Sequence, residues 1–531
     1  MMAGSTTQGA PQRSFNELST QVVSSTEALP VEESMEERVY RLGRERPPSF
    51  PTIGSEIGFV FCVVMSQILT EYFVSGFNIL LPTIVRDLNL QGATSVWPAT
   101  AFSLSIASTL MLFGRLGDRY GAYIVYVCGI AWLLVWSLIA GFSQNQLMLI
   151  FCRAFQGVGS AAFLPASVQL IGSTYRPGPR KNIVFSIYGG AAVAGFYIGI
   201  FFAGLVAQFT NFGWYFWVGT IFTTITLIVA VWRIPKDVAE KREDKPDIDW
   251  IGAGLITSGI VLLVFSITES AHVGWRTPYI PTLFSISVVL LLGAVWFEGW
   301  IAKQPLLPPD IFKVPCMTPL FFSVFILYGT IGLFLLYGTE YFRNIMGVGP
   351  LQVVAWYTPM AIGGIILALA EGFLLAYIPG RILLILSGIG ALGAQLLLAI
   401  VPTNGSYWAY IFSSMILGTM GIDLSITLVM VFVTTQLPLA RQGLAGGLVN
   451  SVLQLGMAIA IGLADIIRTM TEPYAGQVQS FKNVFWFGVA AGAMSLVLLT
   501  IWGRVPKASA DLTADEKAEL RREATRESQK A

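Results

Sequence analysis

The chain has 531 residues, of which 54% are hydrophobic and 12% charged, with a formal net charge of +1. Soluble domains carry roughly 45–50% apolar and about 25% charged residues, so a soluble fold is excluded, and the near-zero charge offers no basic field for nucleic acid. The single histidine, His272, and four cysteines without metal-ligand spacing (Cys62, Cys128, Cys152, Cys316) exclude a multi-histidine metal or haem site and any Ser/His/Asp triad without His272, so neither a cofactor nor an enzyme is expected.

Residues 1–52 are polar and rich in Ser, Thr and Glu, ending in Arg44-Glu45-Arg46-Pro47-Pro48. They cannot bury enough apolar surface to fold, which predicts a disordered tail. No charged start, apolar middle and small-residue cleavage site precede the first apolar run, which is therefore expected to remain as a span. Fourteen apolar segments follow, near 57–81, 94–113, 122–141, 146–172, 183–206, 214–233, 250–269, 279–298, 319–340, 351–371, 381–401, 407–431, 443–465 and 483–503. Each is close to the ~20 residues that cross a hydrocarbon core as helix. Helix is expected because a lipid-exposed backbone must satisfy its own hydrogen bonds, and the runs lack the alternation of barrel strands.

The even count puts both termini on one side. Even-numbered connectors hold Arg115 and Arg119, then Arg176, Arg180 and Lys181, then Arg233, Lys236, Lys241, Arg242 and Lys245, then Lys303, Lys313, Arg381 and Arg441. Odd-numbered ones offer only Arg86, Arg276, Arg343, Arg468 and Lys482, so the even connectors and both tails are expected to be cytoplasmic. Asn404-Gly405-Ser406, a glycosylation-type triplet, falls on the outer side.

The long connectors near 234–249 and 299–318 divide the chain into a six-helix half at 53–233, a linker at 234–318 carrying two additional helices, a second six-helix half at 319–504 and a tail at 505–531. The fifth span of each half is glycine-rich, with Gly189, Gly190, Gly195, Gly199 and Gly204 in one and Gly443, Gly446, Gly447, Gly456 and Gly462 in the other. Either duplicated halves or close helix packing alone accounts for that echo. In the tail, Thr513 and Glu516 form a capping-box pattern that predicts a solvated helix.

Charged groups inside apolar runs are costly, so they are candidates for function. Glu71 shares a polar stripe of the first span with Gln67 and Asn78, and Asp423 sits in Gly418-Thr419-Met420-Gly421-Ile422-Asp423. Desolvation favours a protonated acid and an adjacent arginine a charged one, which makes either carboxylate a device for proton coupling or, alternatively, a neutral acid bonded for packing. Glu269, Glu298, Glu340, Glu371 and Asp465 lie near span ends and are expected at the interface. Arg153, in a run with Leu149, Gln156, Gly157 and Gly159, is expected either to face a carboxylate or to snorkel outward. Gln67, Asn78, Gln156, Asn450 and Gln454 are the candidates for lining a solute cavity. Trp214, Tyr215, Phe216 and Trp217 read as an interfacial belt.

After the second span comes Gly114-Arg115-Leu116-Gly117-Asp118-Arg119-Tyr120-Gly121. It resembles the G-x-L-x-D-R-x-G signature of the major facilitator superfamily, at the position that family uses. The resemblance implies an all-α membrane protein of two six-helix halves, here with two more helices between them, fourteen in all. It also implies a conformational latch in which Gly114, Asp118, Arg119 and Gly121 hold the halves together at the cytoplasmic face. The span-four residues resemble the family's second motif, which places a buried arginine beside a proton path. The fifth span keeps Gly190, Gly195 and Gly199 of the antiporter branch's G-x-x-x-G-P-x-x-G-G, with Phe196 for the proline and Ile200 for the last glycine.

Most of residues 53–505 is similar to the fourteen-span drug:proton antiporter branch, the fungal aminotriazole-resistance-like transporters in particular. That similarity implies proton-coupled efflux of small toxic compounds by alternating access. Its partners would be a small-molecule substrate, protons and the lipid bilayer, acting as a monomer in the plasma membrane or the vacuolar membrane. Rival readings are a uniporter or symporter of a small solute such as ammonium, borate or a siderophore, and a solute sensor that no longer transports.

Overall fold

A computed structural model of the chain describes residues 35–88, 97–236, 248–505 and 507. The first 34 residues of the N-terminal tail, Lys241, Arg242 and Lys245 of the linker, and the capping-box pair Thr513 and Glu516 lie outside the described residues.

Among the described residues, thirteen helices are long and apolar enough to cross a membrane. They are α1 (Ile53–Asp87), α2 (Trp97–Tyr120), α3 (Ala122–Ala140), α4 (Gln146–Thr174), α5 (Pro179–Phe209), α6 (Gly213–Arg233), α7 (Trp250–Val273), α8 (Tyr279–Trp300), α9 (Met317–Asn344), α10 (Pro350–Tyr377), α11 (Gly380–Ile400), α12 (Phe412–Gln436) and α13 (Gln442–Trp502). At 1.5 Å per residue, the 61 residues of α13 would run about 90 Å, some three times a bilayer core. Gly476, at φ 78, breaks the helix into two arms, and the count of crossings becomes fourteen, as the apolar runs require.

The helices are apolar outside and small or polar within. On α10, Ile362, Ile365, Ile366 and Leu369 are exposed, while Gly364, Ala368, Glu371 and Gly372 of the opposite face are buried. On α8, Val289, Leu292, Val295, Trp296 and Trp300 are exposed. Water would not tolerate such a surface; lipid tails match it, and small inward residues let helix backbones approach. This is an integral membrane protein.

In each six-helix group the fifth span lies along the first, α5 on α1 and the first arm of α13 on α9. Glycine sets the closeness. A Cβ on Gly195 would stand 2.7 Å from the Ile68 Cα, and one on Gly199 would stand 2.7 Å from the Tyr72 carbonyl oxygen. The additional pair, α7 and α8, leans on α2 and α13 through α7, where Trp97 Nε1 donates to Glu269 at 3.0 Å and His272 faces Asp465 at 3.4 Å. Arg468 lies 3.8 Å from Asp465 on its own helix and 3.5 Å from Glu340 on α9, so Glu340 is ion-paired across the α9–α13 contact.

The expected disorder of residues 1–52 does not hold from Met35 onward. Residues Met35–Leu42 form a short helix, and the segment after it is clamped to the bundle. Phe50 is buried against the rings of Phe59 (5.1 Å) and Tyr175 (6.1 Å). Arg180 donates to both oxygens of Glu56, at 2.8 and 2.6 Å, and to the Arg44 carbonyl at 3.1 Å. One aromatic anchor, Phe50, and the Arg44 carbonyl held by an arginine that Glu56 fixes in place secure a stretch whose composition alone reads as unfolded. The belt expected at Trp214 to Trp217 is divided likewise: Trp214 is exposed, whereas Tyr215 is buried and stacks on Tyr72 with ring centroids 4.6 Å apart.

Candidate functional site

The two six-helix groups meet at one end through the residues following α2's apolar run. Asp118 is buried and accepts from the backbone N–H of Gly443 (2.8 Å) and Leu444 (2.9 Å), in the first turn of α13. Those N–H groups have no partner inside their own helix, and the helix dipole places partial positive charge there, so a carboxylate is the fitting cap. Gln169 of α4 donates to Asp118 at 3.2 Å and to the Gly117 carbonyl at 3.2 Å. Gly114 allows the approach: a Cβ there would lie 2.6 Å from the Gly443 carbonyl oxygen. Gly121 stands at φ 98, a conformation that favours glycine, and turns the chain into α3. Arg119 is half-buried, its guanidinium 5.8 Å from the Tyr120 ring.

Arg115 does more than its sequence position suggests. It is buried and donates to the carbonyls of Leu306 (3.2 Å) and Pro305, while Glu298 of α8 accepts from the Leu307 N–H at 3.0 Å. The connector after α8 is thereby tied to the Asp118 end of the molecule. A basic residue in a short connector reads equally well as a topological signal, so nothing in the sequence singled it out.

Between the groups, a narrow cavity is lined by residues of α1, α5, α9, α10, α12 and α13. Its polar lining is Gln67, Glu71, Tyr328, Asn450 and Gln454; the remainder is aliphatic apart from Phe196 and two methionines, Met360 and Met457. Among the described residues, no basic side chain lines it. Four of the sequence candidates thus meet in one place although they lie on two helices nearly 400 residues apart in the chain. Gln156 is not among them. It is buried beside Arg153, donating to the Ser137 hydroxyl at 3.0 Å. The Asn78 side chain lies outside the described residues.

Arg153 is fully buried and neither snorkels nor meets an acid. Its Nε donates to the Pro98 carbonyl (3.0 Å) and its Nη1 to Gln156 (3.3 Å), and the guanidinium lies 4.3 Å from the Phe77 ring centre and 4.5 Å from that of Phe102. Two ring faces and two oxygens stand where a carboxylate was expected, an environment that suits the weakly hydrated guanidinium.

Asp423 is also fully buried, but it lies behind the cavity rather than in its wall. The glycines before it serve packing: Gly418 faces the Phe334 ring and Gly421 faces Ala391. Glu371 overturns its expected interfacial place. It is fully buried, because α10 continues to Tyr377, and six residues of helix set the acid about 9 Å inside that end. The signal was the helix length, hidden by ending the apolar run at the acid itself.

The two groups also touch at the other end. Opposite the Asp118 contact, Arg343 of α9 donates to the Ile79 carbonyl of α1 at 3.2 Å, and the Tyr197 hydroxyl of α5 lies 3.0 Å from that of Thr358 on α10. Along α5, Gly195 and Gly199 face α1, whereas Gly190 faces Ala368 of α10 across the boundary between the groups. A central cavity bounded by two groups of helices that touch through separable polar contacts suits a protein that carries solutes.

Residues 63–461 match the Major Facilitator Superfamily. The chain belongs to that superfamily. As a Major Facilitator transporter it is not an enzyme, and its all-helical architecture is the family's. It is 29% identical to the low affinity ammonium transporter of Saccharomyces cerevisiae, over 85% of this chain and 88% of the relative. It is 27% identical to an efflux pump of Aspergillus terreus (86% and 88%) and 28% identical to the aminotriazole resistance protein of S. cerevisiae (86% and 85%). The human organic anion transporter MFSD10 superposes with a TM-score of 0.60 at 14% identity, covering 86% of this chain and all of that one, a likeness of fold.

Proposed function

We propose that this Major Facilitator transporter exports small toxic compounds in exchange for protons by alternating access, with 53–233 and 319–504 as the rocking halves and 234–318 as an inserted pair with its linkers. The observation that carries the reading is the cavity between the groups, whose one ionisable carboxyl among the described residues is Glu71, surrounded by amides and apolar side chains with no basic residue among those that line it. A single carboxyl that can hold either a proton or a cationic or hydrogen-bonding solute makes the two compete, which is the requirement for exchange. Relatives named as an efflux pump and a resistance protein point the same way. Asp118 at the N-terminus of α13 is the inner latch in this reading, both termini are cytoplasmic, and the monomer acts in the plasma membrane.

The purified chain in proteoliposomes tests it. Radiolabelled aminotriazole and puromycin should accumulate only when the lumen is acidified, and accumulation that ignores the gradient would exclude exchange. Tags at the two termini, probed on intact cells, should be shielded together; exposure of one alone would overturn the sidedness. A second reading, uniport of a small solute such as ammonium, is favoured by one feature, the Phe196 and Ile200 substitutions in the α5 glycine motif. Under it methylammonium would equilibrate regardless of pH.

A further inference from the structure

Behind the cavity the structure holds two acids that the transport cycle above leaves without a task. Glu371 of α10 and Asp423 of α12 are both fully buried, and none of their four carboxyl oxygens has a hydrogen-bond partner among the described residues. No basic side chain comes within 4.0 Å of either among the described residues. An ionised carboxylate so placed would cost several kcal/mol unless a partner reached it. The two lie within electrostatic reach of each other, with Thr427 of α12 beside Glu371. Tyr328 of α9 shares the cavity wall with Glu71, its hydroxyl is buried without a hydrogen-bond partner among the described residues, and Glu71, Asp423 and Glu371 all lie within electrostatic range of it.

What seals the pair is the α5–α10 boundary. A Cβ on Gly372 would stand 3.1 Å from the Ile183 Cα and 3.4 Å from the Ser186 hydroxyl, and one on Gly364 would stand 3.1 Å from Val193 and 3.2 Å from Asp423. On α5 the ionisable residues are Arg180, which is paired with Glu56, Lys181, a buried residue of the first turn that makes no ion pair with either acid among the described residues, Tyr188, which shares a 3.4 Å contact with Ser167, and Tyr197, whose hydroxyl lies 3.0 Å from that of Thr358. Glu371 lies toward the Asp118 end, where α10 terminates, so parting of α5 from α10 at that end wets Glu371 before it wets Asp423 or Glu71.

We propose that Glu371 and Asp423 form a proton store joined to the cavity acid Glu71 through the Tyr328 hydroxyl, and that Glu371 is the group from which the exchanged proton leaves at the Asp118 end. The proposal rests on the exchange reading. One proton enters at Glu71 when the opposite end opens, one passes along the acids, and one leaves the Glu371 hydroxyl to water when α5 and α10 separate. No net charge is then stranded in the interior.

The test uses the full chain in lipid nanodiscs and proteoliposomes. At neutral pH, the infrared spectrum of wild type minus that of E371Q is expected to show the carbonyl band of an un-ionised carboxylic acid, and its absence overturns the store. In proteoliposomes, E371Q is expected to keep aminotriazole-for-aminotriazole exchange within twofold of wild type while proton-driven accumulation falls at least tenfold. Equal losses in both modes, or no loss in either, overturn the assignment of Glu371. A wild type that never couples to the gradient defeats the exchange reading itself, a different outcome. Should E371Q fail to assemble, E371D carries the test: the shorter acid is expected to move the band and slow coupled accumulation selectively, and an unmoved band with unaltered coupling overturns the proposal.

Discussion

Asp118 shows how one side chain can bias the whole molecule. Its carboxylate bridges two N–H groups of a helix that belongs to the other half. Charge-assisted hydrogen bonds of this kind contribute about 1.5–3 kcal/mol, so D118N, which keeps one acceptor and loses the charge, is expected to shift the closed equilibrium at that end roughly tenfold or more toward opening. Spin labels at Tyr120→Cys and Leu439→Cys, both exposed and on opposite sides of the contact, would report longer distances in D118N, with flux reduced but assembly intact. Arg153 gives a second expectation. R153K retains the charge and loses the planar face between Phe77 and Phe102, so the variant should melt several degrees lower, as expected from losing about 2 kcal/mol of cation–π stacking; an unaltered melting curve would show that the rings are bystanders. That Arg153 needs partners or an outward path was legible in the sequence, since an arginine inside an apolar run is costly; that it is fully buried was not. Which partners it finds was not, because phenylalanines abound in every span and no spacing reveals that one from α1 and one from α2 converge on α4.

At the scale of elements, apolar run length and glycine placement carry most of the fold. Fourteen runs near bilayer length were readable one by one, and even the merger of two of them into α13 is resolved by Gly476. Ends are less legible: the acid at 371 reads as a boundary, although α10 goes on to Tyr377 because the bundle interior, rather than lipid, receives Glu371. The same inward-facing logic separates glycines that are needed from those that are not. G195A drives a Cβ against the α1 backbone and is expected to cost about 1–3 kcal/mol, through overpacking that can only be relieved by moving α5 from α1. Gly254, on α7, has open space where a Cβ would go, so G254A is expected to stabilise by about 0.4–1 kcal/mol, through helix propensity and a less flexible unfolded chain. Thermal unfolding of the two purified variants in one detergent should give shifts of opposite sign, and a common sign would mean that α5–α1 packing does not set the distance between these helices.

For the molecule as a whole, the two helix groups are held to each other by polar contacts at both ends. Asp118 and Gln169 hold one end through α13, and Tyr197, Thr358 and Arg343 hold the other. Alternating access requires these contacts to be comparable in strength, because a ligand shifts the balance only by its differential affinity for the two open states. Weakening the ends separately should therefore have opposite effects. Y197F removes a neutral hydrogen bond worth about 1 kcal/mol, which corresponds to roughly a fivefold shift toward opening at the end opposite Asp118. Labels at Phe209→Cys and Trp408→Cys, exposed residues near that end in different halves, would move apart in Y197F and closer together in D118N. The double variant should return the distance distribution toward that of the parent. If both single changes instead lengthen the same label pair, the ends are opening independently, and the two halves do not rock as rigid bodies about the Glu71 cavity.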